Sequence, residues 1–112
     1  MQIREISLKE LDVVYEVVSE LYPNMSYSTF EDLIYDMRYM EYKMIGIFEK
    51  ENIISFAGVC IQTTLKDGRF LKVFDFKTKN CFNIKKYDSI LKEYLDDYAK
   101  IAMCERVVFE EK

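Results

Sequence analysis

The spacing of apolar positions changes period twice along the chain. Gln2 to Ile6 roughly alternates polar and apolar residues, with Ile3 and Ile6 slightly out of phase, and predicts a short strand. Ser7-Leu8-Lys9-Glu10 is a capping box, in which a Ser and a Glu three residues on satisfy free N–H groups at a helix start. Leu8, Leu11, Val14, Tyr15, Val18 and Leu21 follow at helical spacing, and Pro23-Asn24 ends that helix. Ser28-Thr29-Phe30-Glu31 reads as a second capping box, opening a shorter helix on Phe30, Leu33, Ile34 and Met37.

From Tyr42 the pattern turns to strands. Met44 to Phe48 is a buried-strand run, Glu49 to Asn52 a polar turn, and Ile53 to Leu65 a long strand, or a strand with a bulge near Gly58. Lys66-Asp67-Gly68-Arg69 carries the Asp-Gly signal of a tight hairpin, and Phe70 to Lys77 returns. Segment 42–77 is therefore expected to be a three-stranded antiparallel meander. Tyr87, Ile90, Leu91, Tyr94, Leu95, Tyr98, Ile101 and Ala102 then share one helix face, with Lys92, Glu93, Asp96, Asp97 and Lys100 on the other. Arg106 to Phe109 is a last short strand. The order β-α-α-β-β-β-α-β predicts a mixed α/β sheet with helices on its faces, its final β-α-β unit a right-handed parallel crossover.

Composition removes function classes. The 112 residues suit one domain, residues 1–112, with a core of its own. There is no His, so no Ser-His or Cys-His pair, imidazole base or His metal ligand, and no metal site is expected. Gly46, Gly58 and Gly68 are too scattered for a phosphate-binding glycine loop. Sixteen basic against twenty acidic residues give a net charge of −4, which opposes nucleic acid and anionic membrane as partners. Ile53 to Ile61 is the longest apolar run and is too short to span a bilayer; MQIREISLKE lacks a signal-peptide core. Cys60, Cys81 and Cys104, without CxxC spacing, read as reduced thiols and predict a cytoplasmic location.

Element order and residues together resemble the GCN5-related N-acetyltransferase (GNAT) superfamily, in a bacterial style. Ile54-Ser55-Phe56-Ala57-Gly58-Val59 looks like the family's third strand, with its common GFAGxR-type wording. Gly68-Arg69-Phe70-Leu71-Lys72-Val73-Phe74-Asp75-Phe76-Lys77-Thr78 looks like the hairpin and fourth strand of one branch, usually close to G-R-x-L-Y-V-D-D-L-V-T. Asp88-Ser89-Ile90-Leu91 through Leu95, Tyr98-Ala99-Lys100 and Cys104-Glu105-Arg106-Val107 follow the third helix and fifth strand. The resemblance implies a GNAT-like, mostly antiparallel five-stranded sheet. It also implies that the family's fourth helix and last two strands, which often supply a Tyr for the leaving thiolate, are lacking after Phe109.

Active members carry Arg/Gln-x-x-Gly-x-Gly/Ala at the start of the third helix, where glycines let the backbone approach the acetyl-CoA pyrophosphate. Here the motif falls on Asn83-Ile84-Lys85-Lys86-Tyr87-Asp88, with Lys86 and Asp88 in the glycine positions. The resemblance thus implies a degenerate cofactor motif and lost catalysis, with the domain kept as a binding or regulatory module and no cofactor. One alternative is an active N-acetyltransferase, in which Phe76, Lys77, Thr78, Lys85 and Lys86 hold acetyl-CoA and Asp75 is the general base. Another is a structural subunit completed by a partner chain.

Asp75 matches the second acidic residue of the family's fourth strand, and Phe74 replaces the first; a carboxylate can take a proton from an ammonium, but it can equally bond a neighbouring loop. Lys85 and Lys86 read as phosphate ligands or as a solvated turn. Asp88 is expected to cap the third helix. Tyr87, Tyr94 and Tyr98 are core packing. Tyr22, Tyr27 and Phe30 fall near the family's acceptor region and either line a small-molecule groove or simply pack helix on helix. The edge of Arg106 to Phe109 is a candidate surface for a homodimer or a protein partner, opposed by Glu105, Arg106 and the Glu110-Glu111-Lys112 tail.

Overall fold

The computed structural model describes residues 1–110; Glu111 and Lys112, part of the charged tail, lie outside the described residues. Five strands form one sheet in chain order: β1 Gln2–Ile6, β2 Lys43–Glu49, β3 Asn52–Thr64, β4 Gly68–Thr78 and β5 Arg106–Phe109. β1 to β4 pair antiparallel as consecutive neighbours, and β5 joins β4 in parallel. The helices are α1 Leu11–Leu21, α2 Tyr27–Met37 and α3 Ile84–Ile101. The expected order and meander are therefore present, and α3 is unbroken through Leu91.

The capping signals hold at one end and move at the others. Ser7 and Glu10 form the expected box: Ser7 Oγ accepts the Lys9 N–H at 3.3 Å, and Glu10 accepts the Ser7 N–H at 3.0 Å. The first turn, Leu8–Glu10, is 3-10 and the regular helix begins at Leu11. α2 is not capped by Ser28. Its cap is Ser26, whose Oγ accepts the Thr29 N–H at 3.1 Å. A cap residue needs an extended backbone, and Ser26 has it (φ −73°, ψ 159°), whereas Ser28 already lies inside the helix. At the hairpin, Gly68 sits at φ +67°, which L side chains avoid, and an added Cβ would stand 2.3 Å from Glu105 Oε2.

Two apolar clusters fill opposite faces of the sheet. Ile6, Met44, Phe48, Ile53 and Phe56 pack under α1 and α2 with Val14, Val17, Phe30 and Ile34. Ile45, Ile47, Ala57, Val59, Leu71 and Val73 pack under α3 with Leu91, Leu95 and Ala99. Tyr87, Tyr94 and Tyr98 pack against the second cluster, as the stripe predicts. Among the described residues no helix is long and apolar enough to cross a membrane.

Candidate functional site

The site begins with an irregularity in β4. Gly58 pairs with Asp75 and Val59 with Val73, so Phe74 has no opposite residue and forms a bulge. Strand side chains alternate faces, and one extra residue reverses the alternation beyond it. Leu71 and Val73 point to the α3 face, and so do Phe76 and Thr78. Asp75, between them, is delivered to the α1–α2 face. In an unbroken strand Asp75 would share the face of Leu71 and Val73 and be buried under α3.

On the α1–α2 face Asp75 meets two phenols. Tyr22, from the end of α1, donates to one carboxylate oxygen, and Tyr42, just before β2, donates to the other at 2.6 Å. Tyr42 reaches this position by lying across Gly58, where a Cβ would fall 1.5 Å from its hydroxyl oxygen. Burial pushes both phenols above the usual tyrosine range, and the adjacent Asp75 adds to the shift in each. Among the described residues no ion pair involves Asp75.

Beside this group is a cavity of about 210 Å³ between α1, α2 and the sheet. Its wall is mostly apolar, with Met25, Phe30, Met37 and Phe56 prominent, and Tyr22, Tyr42 and Asp75 provide its polar edge. Tyr22 and Phe30 line it, as the groove reading expects. Tyr27 does not: it is turned onto Tyr15, ring centroids 5.3 Å apart, and is partly exposed. Sequence reasoning missed Tyr42, Met25, Met37 and Phe56. Each reads locally as core or turn, and only the bulge at Phe74 brings Asp75 to them.

The start of α3 lies on the other side of β4. Asn83 is its cap, accepting the Lys86 N–H at 3.1 Å, so Asp88 is not. Asp88 sits a turn inside the helix and accepts the Thr78 hydroxyl at 2.6 Å; Thr78 in turn bonds Ser55 at 2.7 Å. Ser55 and Thr78 are both buried, and this chain of hydroxyls ties α3 to β3 and β4. Lys85 and Lys86 are exposed, and the Lys86 ammonium lies 5.1 Å from the Tyr87 ring centre. Lys77 bonds Asn80 at 2.7 Å, on the face opposite Thr78. Phe76 packs edge-on against Phe109 at 5.4 Å, with the Lys92 ammonium over both rings. The six residues named from the sequence are thus divided: Asp75 and Lys77 on one face of β4, Phe76 and Thr78 on the other, Lys85 and Lys86 in solvent.

The helix start is crowded where a CoA pyrophosphate would approach. Such a group needs unencumbered first-turn N–H donors and close backbone approach. One of those donors is taken by Asn83, a lysine side chain stands in the first glycine position, and a carboxylate bonded to Thr78 stands in the second. Among the described residues no cluster of acidic and thiol side chains could hold a metal ion.

No protein-family model and no curated protein sequence matches the chain. Solved structures do. A GNAT family acetyltransferase from Staphylococcus aureus superposes with a TM-score of 0.85 at 13% identity, covering 99% of this chain and 86% of that one. An aminoglycoside N-acetyltransferase, AAC(6')-Iy, in complex with CoA gives 0.80 at 11% identity, over 99% and 76%. Glucosamine-6-phosphate N-acetyltransferase from Arabidopsis thaliana gives 0.76 at 18% identity, over 99% and 82%. Agreement of this quality over nearly the whole chain, with the expected sheet order and parallel last strand, shows that the chain has the GNAT acetyltransferase fold.

Proposed function

We propose that this GNAT-fold chain binds a small molecule and does not transfer acetyl groups. The observation that supports the reading is the start of α3, where Asn83 accepts the Lys86 N–H and Asp88 is bonded to Thr78, Lys86 and Asp88 standing at the positions that the resemblance gives to the glycines of active members. Asp75 supports it. A general base must be able to turn to its substrate, and each Asp75 oxygen already gives one of its two acceptor positions to a phenolic hydrogen, which holds the carboxylate in place. The binding surface is then the cavity between α1, α2 and the sheet. Three free thiols, Cys60, Cys81 and Cys104, support a reducing cytoplasmic setting.

Calorimetric titration with acetyl-CoA and with CoA tests the reading. The expected result is no saturable binding of either in the micromolar range. Micromolar or tighter binding of either overturns it and returns the active acetyltransferase, with Lys85 and Lys86 as cofactor ligands, to first place.

A further inference from the structure

We propose that the cavity beside Asp75 takes a small organic cation with a methylated nitrogen, a trimethylammonium group on a short polar arm. The proposal rests on the reading of the chain as a binding module and supplies its ligand class. It stands on charge, wall chemistry and size.

Asp75 is the charged side chain of the cavity, and no ion pair among the described residues involves it. A negative charge at the edge of an apolar cavity favours a cation there, because the low polarity around it strengthens the attraction. The wall decides which cation. Four aromatic rings, from Tyr22, Phe30, Tyr42 and Phe56, line it together with methionines and aliphatic side chains. Aromatic faces attract cations without hydrogen bonds, and the attraction grows when the cation is desolvated.

Hydrogen bonding separates a methylated from a primary ammonium. A primary ammonium carries three N–H donors, each needing an acceptor when buried. The acceptors all stand at one edge. Tyr22 and Tyr42 occupy one position on each Asp75 oxygen, the open positions and the two phenol oxygens lie on that same side, and most of the remaining wall is apolar, so N–H groups spread in three directions are not all met. A trimethylammonium group has no N–H, spreads its charge over its methyls and needs only an anion nearby and rings around it. Size agrees. About 210 Å³ is below the roughly 300–1,000 Å³ of drug-sized sites, so the ligand is a headgroup with a short arm. A nitrogen bearing four carbon substituents has no proton to lose and cannot accept an acetyl group, which suits a cavity whose carboxylate is held by two phenols.

The test compares three probes by calorimetry on the same protein: choline, its uncharged isostere dimethylbutanol with carbon in place of nitrogen, and ethanolamine. Choline is expected to saturate, with the isostere and ethanolamine each at least about tenfold weaker. Asp75→Asn should weaken choline by about tenfold or more, while the far-ultraviolet circular dichroism stays that of the parent. Equal binding of choline and the isostere means the charge is not read, and overturns the proposal. Tighter binding of ethanolamine than of choline overturns it, as does no binding of any probe or an unaffected Asp75→Asn. Should Asp75→Asn fail to fold, the probe comparison on the parent protein decides alone. The CoA titrations are read separately, so loss of this ligand class and recovery of coenzyme binding are distinct results.

Discussion

Gly58 controls the candidate site although it contributes no functional group. Its missing side chain is the space that Tyr42 uses to reach Asp75. Gly58→Ala forces the ring away, leaves one Asp75 oxygen without its donor and overpacks a buried strand; a loss of about 1–3 kcal/mol is expected in urea unfolding. Parent-like stability would show that Tyr42 is not seated across Gly58. Glu10 gives a pH test at the opposite end of α1. The Arg4 guanidinium, followed by the Ser7 N–H, pulls its carboxyl down to about 2. A carboxyl lowered on folding stabilises fully above its unfolded value near 4.5, and that contribution is lost as pH falls towards about 2. Unfolding midpoints measured from pH 5 to pH 2 should therefore fall less steeply in Glu10→Gln than in the parent. Equal slopes would remove the Arg4–Glu10 pair from the acid response. Of these residues, Glu10 was legible because a capping box is a local pattern. Tyr42 and Gly58 were not, because their contact depends on the pairing of distant strands.

At the scale of elements, the periodicities found the three α-helices and five strands among the described residues, since each buries one face; the 3-10 turn Arg38–Met40 carried no such pattern, and Leu8, Leu33 and Ile101, read onto buried faces, are exposed. Caps were less legible. Serines at 26 and 28 both offer a hydroxyl near the start of α2, and only backbone geometry selects Ser26. At α3 the sequence offers Asn83 and Asp88, and the structure gives them different work. Asn83 satisfies a helix-end donor that water would otherwise meet, so Asn83→Ala should cost about 1 kcal/mol. Asp88 accepts from a buried hydroxyl, so Asp88→Ala leaves one donor of the Ser55–Thr78 pair without an acceptor and should cost about 1–3 kcal/mol. Chemical denaturation of the two variants decides the order. A double-mutant cycle with Thr78→Val should show coupling for Asp88 and none for Asn83; the reverse would restore Asp88 as the cap. The same chain of hydroxyls bears on placing glycines at Lys86 and Asp88 to rebuild a phosphate site. That change frees the helix start but removes the acceptor of Thr78, so any gain in CoA affinity comes with a less stable fold. The bulge was half legible: Gly58 marks the place of the irregularity, but the extra residue, Phe74, sits opposite it on β4 rather than on β3. Nothing in the run Leu71 to Thr78 marks where alternation reverses, and β3 fixes it by pairing Gly58 with Asp75.

For the whole molecule, the sheet has two unlike edges. β1 carries Arg4 and Glu5 among its five residues and pairs with β2 along its full length. β5 has four residues, is bonded to β4 from Phe70 to Val73, and is the last strand in the described sheet. Among the described residues no strand pairs with its outer side, and Val107, Val108 and Phe109 are partly exposed; an unpaired edge of that kind is one that a strand can extend. A two-fold pairing of two copies is the simplest way to satisfy such an edge. Charge limits it. Arg106 faces Asp67 at 3.5 Å and Lys72 faces Glu110 at 3.3 Å, so the edge is flanked by paired charges that must be kept or repaid on contact. With each chain also carrying −4, repulsion between copies weakens with added salt, because ions screen it over roughly 10 Å at 0.1 M. We propose weak self-association of this chain through β5, strengthened by salt. Light scattering at protein concentrations on the order of tens of micromolar should show a mass rising towards the dimer as salt is added. Val108→Lys, which places a charge on the edge strand without touching the buried residues of either core, should hold the mass at the monomer in every condition. A parent chain that stays monomeric at high salt would show that the short charged edge is closed to a second copy.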